Sequence, residues 1–312
     1  MLNTRNILII ILAIAATLRF WNLTGPDMQT DDALNSFRAI GYLDYTAAEN
    51  LQSTPVTWFT EHRWWQGLSF HDHPPLVFLV QNIFFQIFSD NTFAARLPFV
   101  LVGLLSIFGI FLLGKILFSK KIGLMSAGIL SLLSYHVWIS RIGFLEGFVI
   151  LFSIFSLYFF TRARENPKFY ILWGLCMGAG ILSKYTFIFL LPVFGILILW
   201  ERRKDLKQKW FWIGIFIFVF TISPVITYNV MVYKTRGHFD AALSSILGMH
   251  SEDFKGLTRT ISIKESALNA TNSIKNNFSL GTLSVFIAGL FVLRNKMLWF
   301  ALFSAFAVAS LA

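Results

Sequence analysis

The stretch that decides the fold is Gly25–Pro75, which begins GPDMQTDDALNSFRAIGYLDY (25–45) and ends WFTEHRWWQGLSFHDHPP (58–75). It is a polar island in a greasy chain. Asp27, Asp31, Asp32, Asp44, Glu49, Glu61 and Asp72 fall in it, seven of the sixteen acids in 312 residues. The chain as a whole is 56% hydrophobic, 17% aromatic and 13% charged, whereas soluble domains carry about 25% charged residues. Apolar runs recur along its length, so the chain reads as an all-α polytopic membrane protein, a helical bundle of about 9–10 transmembrane helices.

The charge follows the same logic. A net +10 could suggest nucleic acid, but the basic residues sit in short loops between apolar runs, as cytoplasmic loops require. No nucleic-acid partner is expected. The single cysteine, Cys176, lies inside an apolar run and excludes both a disulfide framework and a Cys-x-x-Cys metal site.

Working outward from the loop, the expected spans are Ile7–Leu18, Leu97–Leu113, Ile122–Ile139, Gly147–Phe160, Phe169–Leu182, Phe187–Trp200, Trp210–Tyr228, Leu280–Leu293 and Met297–Ala312. No small-residue cleavage site follows the first run, so it is read as an uncleaved span. Basic clusters at Lys115–Lys121, Arg162–Lys168, Arg202–Lys209 and Arg294–Lys296 mark the cytoplasmic side. Leu76–Phe88 is too short to cross a bilayer, which needs about 20 residues, and counting it as a span would put Lys115–Lys121 outside. It is read as an interfacial helix of a large first extracytoplasmic loop, 24–96, with Gln81 and Gln86 half wet. The spans to 230 form the core, 231–279 is a second outer loop, and 280–312 are terminal spans that read as truncated because the sequence stops within an apolar run. With this topology thirteen of the sixteen acids lie outside, all but Glu165, Glu201 and Asp205.

Several outer residues could carry chemistry. Asp31 and Asp32 open a helical pattern after Gly25–Pro26, where acids suit the helix dipole. A carboxylate fixed there could equally serve as a general base. Glu146 starts an apolar span, where an ionisable group is costly and often functional; a surface pair with Arg141, worth little in energy, is the plainer alternative. His71-Asp72-His73-Pro74-Pro75 is a polar turn, a phosphate contact or a metal site, with Asp72 and His73 as ligands of a divalent ion such as Zn²⁺. Lys184 either snorkels to the surface or meets a phosphate as a point charge, and Arg96 poses the same choice. Trp58, Trp64 and Trp65 read as interface anchors. No P-loop, GxSxG or HExxH occurs, which argues against common nucleotide and hydrolase chemistry.

Five segments in order, TDDAL (30–34), HPPL (73–76), ARLPFVLVGLLSIFGIFLLGKILF (95–118), SRIGFLEGF (140–148) and GAGILSKYT (178–186), resemble the C-type membrane glycosyltransferases, the family of protein O-mannosyltransferases and aminoarabinose transferases. The resemblance covers roughly residues 5–200. It implies an inverting transferase that moves a hexose such as mannose, or a pentose, from a polyprenyl-phosphate carrier to an acceptor hydroxyl or phosphate outside the membrane. Asp31 resembles the family's catalytic acid. Asp32 stands where the family usually has Glu, and Glu146 where it more often has Asp. His73, Arg96 and Lys184 are implied as donor-phosphate contacts, with Asp72 and His73 in carrier-phosphate or metal contact. The implied setting is a bacterial inner membrane with the active site outside, and the acceptor is a lipid, polysaccharide or protein. Two other readings stand beside it: a transporter or flippase of lipid-linked or polar solutes, which would place charges at the midplane and show repeated halves, and an inactive truncated copy of the transferase.

Overall fold

The structure, a computed structural model, describes residues 3–28, 30–40, 63–70, 72–249, 251 and 253. The terminal spans at 280–312, most of the second outer loop, His71 and the acids at 44, 49 and 61 lie outside the described residues. The described elements are helical: α1 (Thr4–Phe20), α2 (Thr30–Ile40), α3 (Leu76–Phe88), α4 (Thr92–Leu117), α5 (Lys120–Leu132), α6 (Ser134–Ile139), α7 (Glu146–Arg162), α8 (Phe169–Ser183), α9 (Leu190–Glu201), α10 (Lys209–Arg236) and α11 (Ala241–Ile246). Short 3-10 turns cover Trp64–Leu68, Tyr185–Phe189 and Arg203–Lys207. The chain divides into two units, one of residues 1–185 with 209–257 and one that contains 186–208.

In the first unit α4 is the central post. Helices α1, α3, α5 and α7 pack on it, α7 also on α8, and α8 on α10. Two helices, α4 and α10, are long and apolar enough to cross a membrane on their own. Both are apolar on their outer faces as well: Leu101 and Leu105 of α4 and Trp212, Phe216 and Phe220 of α10 are exposed, as for helices whose solvent is lipid. The second unit, in its described part, is α9 and the turn after it. There Arg202 Nε meets Asp205 Oδ2 at 2.5 Å and Gln208 donates to Asp205 Oδ1 at 3.0 Å, closing a basic connector.

The first outer loop is anchored by packing. Phe70, Phe78 and Phe85 bury against Phe99 of α4 and Phe148 of α7 in one apolar cluster. The Phe99 and Phe148 rings meet edge to face at 5.6 Å. The 3-10 turn is fastened separately, by Trp65 against Tyr228 of α10 at 5.9 Å.

Helix α3 has the bounds expected from the sequence and, at 13 residues, is about 20 Å long, shorter than the hydrocarbon core. Gln81, however, is fully buried. It donates to Ser36 Oγ at 3.1 Å and to the Ala95 carbonyl at 2.8 Å, beside the turn of α4 that Pro98 deprives of a donor. Asn82 likewise caps the end of α2 by donating to Ala39 O at 2.8 Å. Only Gln86 faces out. The two inner amides are joints between α3 and its neighbours.

The expected span Ile122–Ile139 is broken. Leu133 takes an extended conformation and separates α5 from α6. The break frees the Ser131 carbonyl, and the buried Arg19 of α1 donates to it at 3.2 Å and to His136 Nδ1 at 2.8 Å. A broken helix persists at membrane depth when a neighbour satisfies its freed groups in this way.

Helices α8 and α10 cross through glycines. A Cβ on Gly174 would lie 2.0 Å from the Gly214 carbonyl oxygen, and one on Gly214 2.4 Å from that of Tyr170. Such small residues let backbones approach closely where apolar lipid leaves little other drive to associate. Gly174→Val is therefore expected to lower the thermal unfolding midpoint of the detergent-solubilised protein, at a cost of at least about 1–3 kcal/mol. A control Gly195→Ala, with open space at that Cβ, should leave the midpoint unchanged.

Candidate functional site

The two adjacent acids of α2 point to different worlds. Asp31 is exposed, and among the described residues it makes no ion pair. Asp32 is wholly buried, as is Arg96 of α4. Arg96 Nε and Nη2 both donate to Asp32 Oδ2, at 2.9 and 2.8 Å. The rest of the guanidinium is occupied by backbone: Leu23 O at 2.8 Å, Pro26 O at 3.0 Å and Asp27 O at 3.2 Å. The other oxygen of Asp32 accepts from the Gly143 N–H at 2.8 Å, and Asn35 donates to the Gly143 carbonyl at 2.7 Å. Gly143 is needed there, since a Cβ would lie 2.7 Å from Asp32 Oδ1. The pair thus nails the entry of the outer loop, α2, α4 and the turn before α7 to one point. In this geometry the Arg96 donors are taken up by Asp32 and the loop carbonyls, the role of an anchor.

A second group lies at the surface. Lys184, the residue that ends α8, pairs with Glu146 at the start of α7. The Lys184 side chain is 26% exposed and that of Glu146 40%, so the pair is open at the head of two apolar helices. His73 is near enough to Glu146 for their charges to interact, and Tyr135 of α6 likewise. Asp72 Oδ2 accepts from Arg38 of α2 at 3.1 Å, while Asp72 Oδ1 lies 3.1 Å from His73 Nδ1. The structure therefore brings Asp72, His73, Glu146 and Lys184 into one neighbourhood and adds Arg38, which the sequence reading overlooked. Asp31 stands apart from them at the other end of α2, about 10 Å along its axis from Arg38.

Asp72 and His73 fit a divalent metal only poorly. One carboxylate oxygen of Asp72 is bound by Arg38, and among the described residues no group of three metal-ligating side chains forms.

Beneath this face is a polar node the sequence did not announce. Tyr185 donates its phenol proton to Asp240, which also accepts from Asn229 at 2.9 Å. Asp240 is wholly buried. Burial, only partly offset by these donors, pushes its carboxyl up to about 6. Burial, and then the Asp240 charge beside it, raise the Tyr185 phenol well above its ordinary value. A signal for the node did exist, in the Lys-Tyr-Thr and His-Phe-Asp tripeptides, but their partnership spans 55 residues and no local pattern links them.

An acidic loop helix is thus packed on a helical bundle, with paired charges at the heads of apolar helices. The solved structures agree on the fold. The S. cerevisiae protein O-mannosyltransferase Pmt1–Pmt2 complex bound to the sugar donor aligns with a TM-score of 0.53 and 18% identity, over 84% of this chain and 38% of that one. The Archaeoglobus fulgidus oligosaccharyltransferase in its apo form aligns with a TM-score of 0.50 and 12% identity, over 99% of this chain and 50% of that one. The chain thus spans half or less of these relatives. No curated protein sequence matches it. The family described as dolichyl-phosphate-mannose–protein mannosyltransferase matches residues 72–228, half of the chain, and the chain belongs to that family. The match takes in Asp72, His73, Arg96, Glu146 and Lys184; Asp31 and Asp32 precede it.

Two outcomes follow from the buried groups. Arg96→Ala strands Asp32 in the interior, which costs about 3–5 kcal/mol, so the unfolding midpoint should collapse, while Asp31→Ala should leave it near wild type. For Asp240, the native carboxyl titrates near 6 against an ordinary 3.8. Its raised value favours the folded state below 3.8, and that advantage is lost as pH rises through about 6. Between pH 4 and 8 the stability of Asp240→Asn relative to wild type should therefore shift in the variant's favour by up to about 3 kcal/mol, read as paired melting curves.

Proposed function

We propose that this protein is an inverting glycosyltransferase that moves a sugar from a polyprenyl-phosphate carrier to an acceptor on the outer side of the membrane. The observation that carries the reading is the half-exposed Lys184–Glu146 pair, with His73 beside it, at the heads of α7 and α8. A donor with an apolar tail and a phosphosugar head needs lipid-facing helices below and a cation at their ends, and that is what this arrangement offers. Mannose and a protein, both named in the family's description, are the first donor sugar and acceptor to assay. The outer leaflet of a bacterial inner membrane is the setting we assign.

In the proposed reaction Asp31, exposed at the start of α2, takes the proton of the acceptor hydroxyl. The acceptor oxygen attacks the anomeric carbon from the face opposite the phosphate. The bond from that carbon to the phosphate oxygen breaks, and its electron pair leaves with the carrier, which gains one negative charge. Lys184, with His73, offsets that charge as it develops. Glu146 holds the Lys184 ammonium in place before the donor arrives. Asp32 and Arg96 act as the frame that presents Asp31. A sugar bound between Asp31 and Lys184 would bridge the two ends of α2.

Transfer is measured with a radiolabelled polyprenyl-phosphate mannose and a serine/threonine peptide, in nanodiscs that hold the whole chain. Asp31→Asn is expected to lower turnover by about 10²–10⁴-fold while carrier binding survives. Full turnover in that variant would remove Asp31 from the role of base. Solute uptake without any sugar transfer would replace the enzyme reading with a transporter.

A further inference from the structure

We infer that Tyr185 and Asp240 are positioning residues for the carrier phosphate: their hydrogen bond fixes Lys184 and His73 relative to one another and ties the start of the second outer loop to the donor site. The inference rests on the donor reading above and adds to it two residues that do not touch the donor.

The geometry is specific. Lys184 is extended, at φ −160° and ψ 137°, so its side chain and that of Tyr185 leave the backbone on opposite sides. Lys184 goes outward to Glu146, and Tyr185 goes inward to a fully buried position. The Tyr185 phenol then meets three segments at once. It donates to Asp240, and Asn229 of α10 lies 3.4 Å from its oxygen. The Ser69 hydroxyl sits beside the same oxygen and donates to the His73 carbonyl at 3.2 Å, which the Phe70 N–H also reaches at 3.1 Å. A line of polar contacts therefore runs from Asp240 through Tyr185 and Ser69 to the backbone of His73, with Lys184 attached at its centre; Tyr185 donates to Asp240 and Ser69 to the His73 carbonyl, and the two hydroxyl oxygens lie side by side. Asp240 is held in turn: its N–H donates to Asn229 Oδ1 at 2.9 Å, and its Oδ1 caps α11 through the Leu243 N–H at 2.8 Å.

A helix cap alone does not call for this. Ser or Asn caps a helix about as well as Asp, without a charge. Here a carboxylate is wholly buried, and that burial disfavours its charged form and pushes it up to about 6. The cost is offset only by donors aimed at it, foremost the Tyr185 phenol. The titratable groups that act on Asp240 are Tyr185 and, further off, Asp72; Asn229 and Leu243 contribute dipoles. An ionised acceptor makes the Tyr185 bond stronger than a neutral one would. Above about pH 6 the node is tight, and below it Asp240 takes a proton and the node loosens.

The test is binding of a short-chain polyprenyl phosphate without sugar, by the full chain in nanodiscs, at pH 7.5 and pH 5, so that it is independent of turnover. Lys184→Ala serves as the reference for loss of the phosphate contact. Tyr185→Phe, which keeps the ring and removes one hydrogen bond, should bind about three- to tenfold more weakly than wild type at pH 7.5. Asp240→Asn should show a similar deficit. Both deficits should close at pH 5, where the wild-type node is itself loosened. A purely structural role predicts affinities equal to wild type, or a deficit that is the same at both pH values, and either result overturns the inference. Tyr185→Phe decides the matter if Asp240→Asn fails to fold. Wild-type protein that binds no carrier phosphate would overturn the donor reading, and this inference with it; wild-type binding with unaffected variants overturns the inference alone.

Discussion

The entry of the first outer loop, α2, α4 and the turn before α7 all meet at one buried ion pair. Asp32 and Arg96 are both removed from water, and neither charge would tolerate that without the other. Burying two ions costs several kcal/mol each, and only close, fully bonded geometry offsets it. Here the offset is thorough, because the remaining guanidinium donors find three carbonyls of the loop entry and the second carboxylate oxygen finds the Gly143 N–H. The pair does more to specify one arrangement than to stabilise it. Any other packing of α2 on α4 would leave a bare charge inside.

The consequence for chemistry is a division of labour between neighbours in the chain. Asp32 is spent as an anchor, so Asp31, one residue earlier and about 100° around the helix, is left facing water on a support that cannot rotate. At the other end of α2, Arg38 binds Asp72 and sets the turn that carries His73. One short helix thus relates the exposed acid to the open Lys184–Glu146 pair. Rigid placement of groups with opposite tasks is worth more to a group-transfer reaction than additional contacts would be.

Much of this was legible in the sequence. The all-helical membrane class followed from charge content and apolar runs, the bounds of α3 from its apolar pattern between Pro75 and Ser89, and the common side of Glu146 and Lys184 from the loop charges. What stayed hidden depends on contacts distant in sequence. Asp31 and Asp32 are chemically identical, and only Arg96, 64 residues on, distinguishes them. Gln81 looks half wet in a one-dimensional pattern, yet it is consumed by Ser36 and Ala95. The break at Leu133 has no Pro or Gly to announce it, and the side chain that satisfies its freed carbonyl comes from another helix. The Tyr185–Asp240 node joins residues from two loops that no periodicity connects.

The Arg19 contact to that break also bears on how the chain enters the membrane. Arg19 lies in the last turn of α1, and its partners Ser131 and His136 follow 112 and 117 residues later. For that interval the cation of α1 has only the Ala15 carbonyl of its own helix to receive it, near a lipid phase that rejects charge. The first helix therefore cannot settle into bulk lipid on its own. It has to wait, at the translocation machinery or with Arg19 in the headgroup layer, until α5 and α6 arrive. Their assembly is thus a joint event in biogenesis, written into two hydrogen bonds of one side chain.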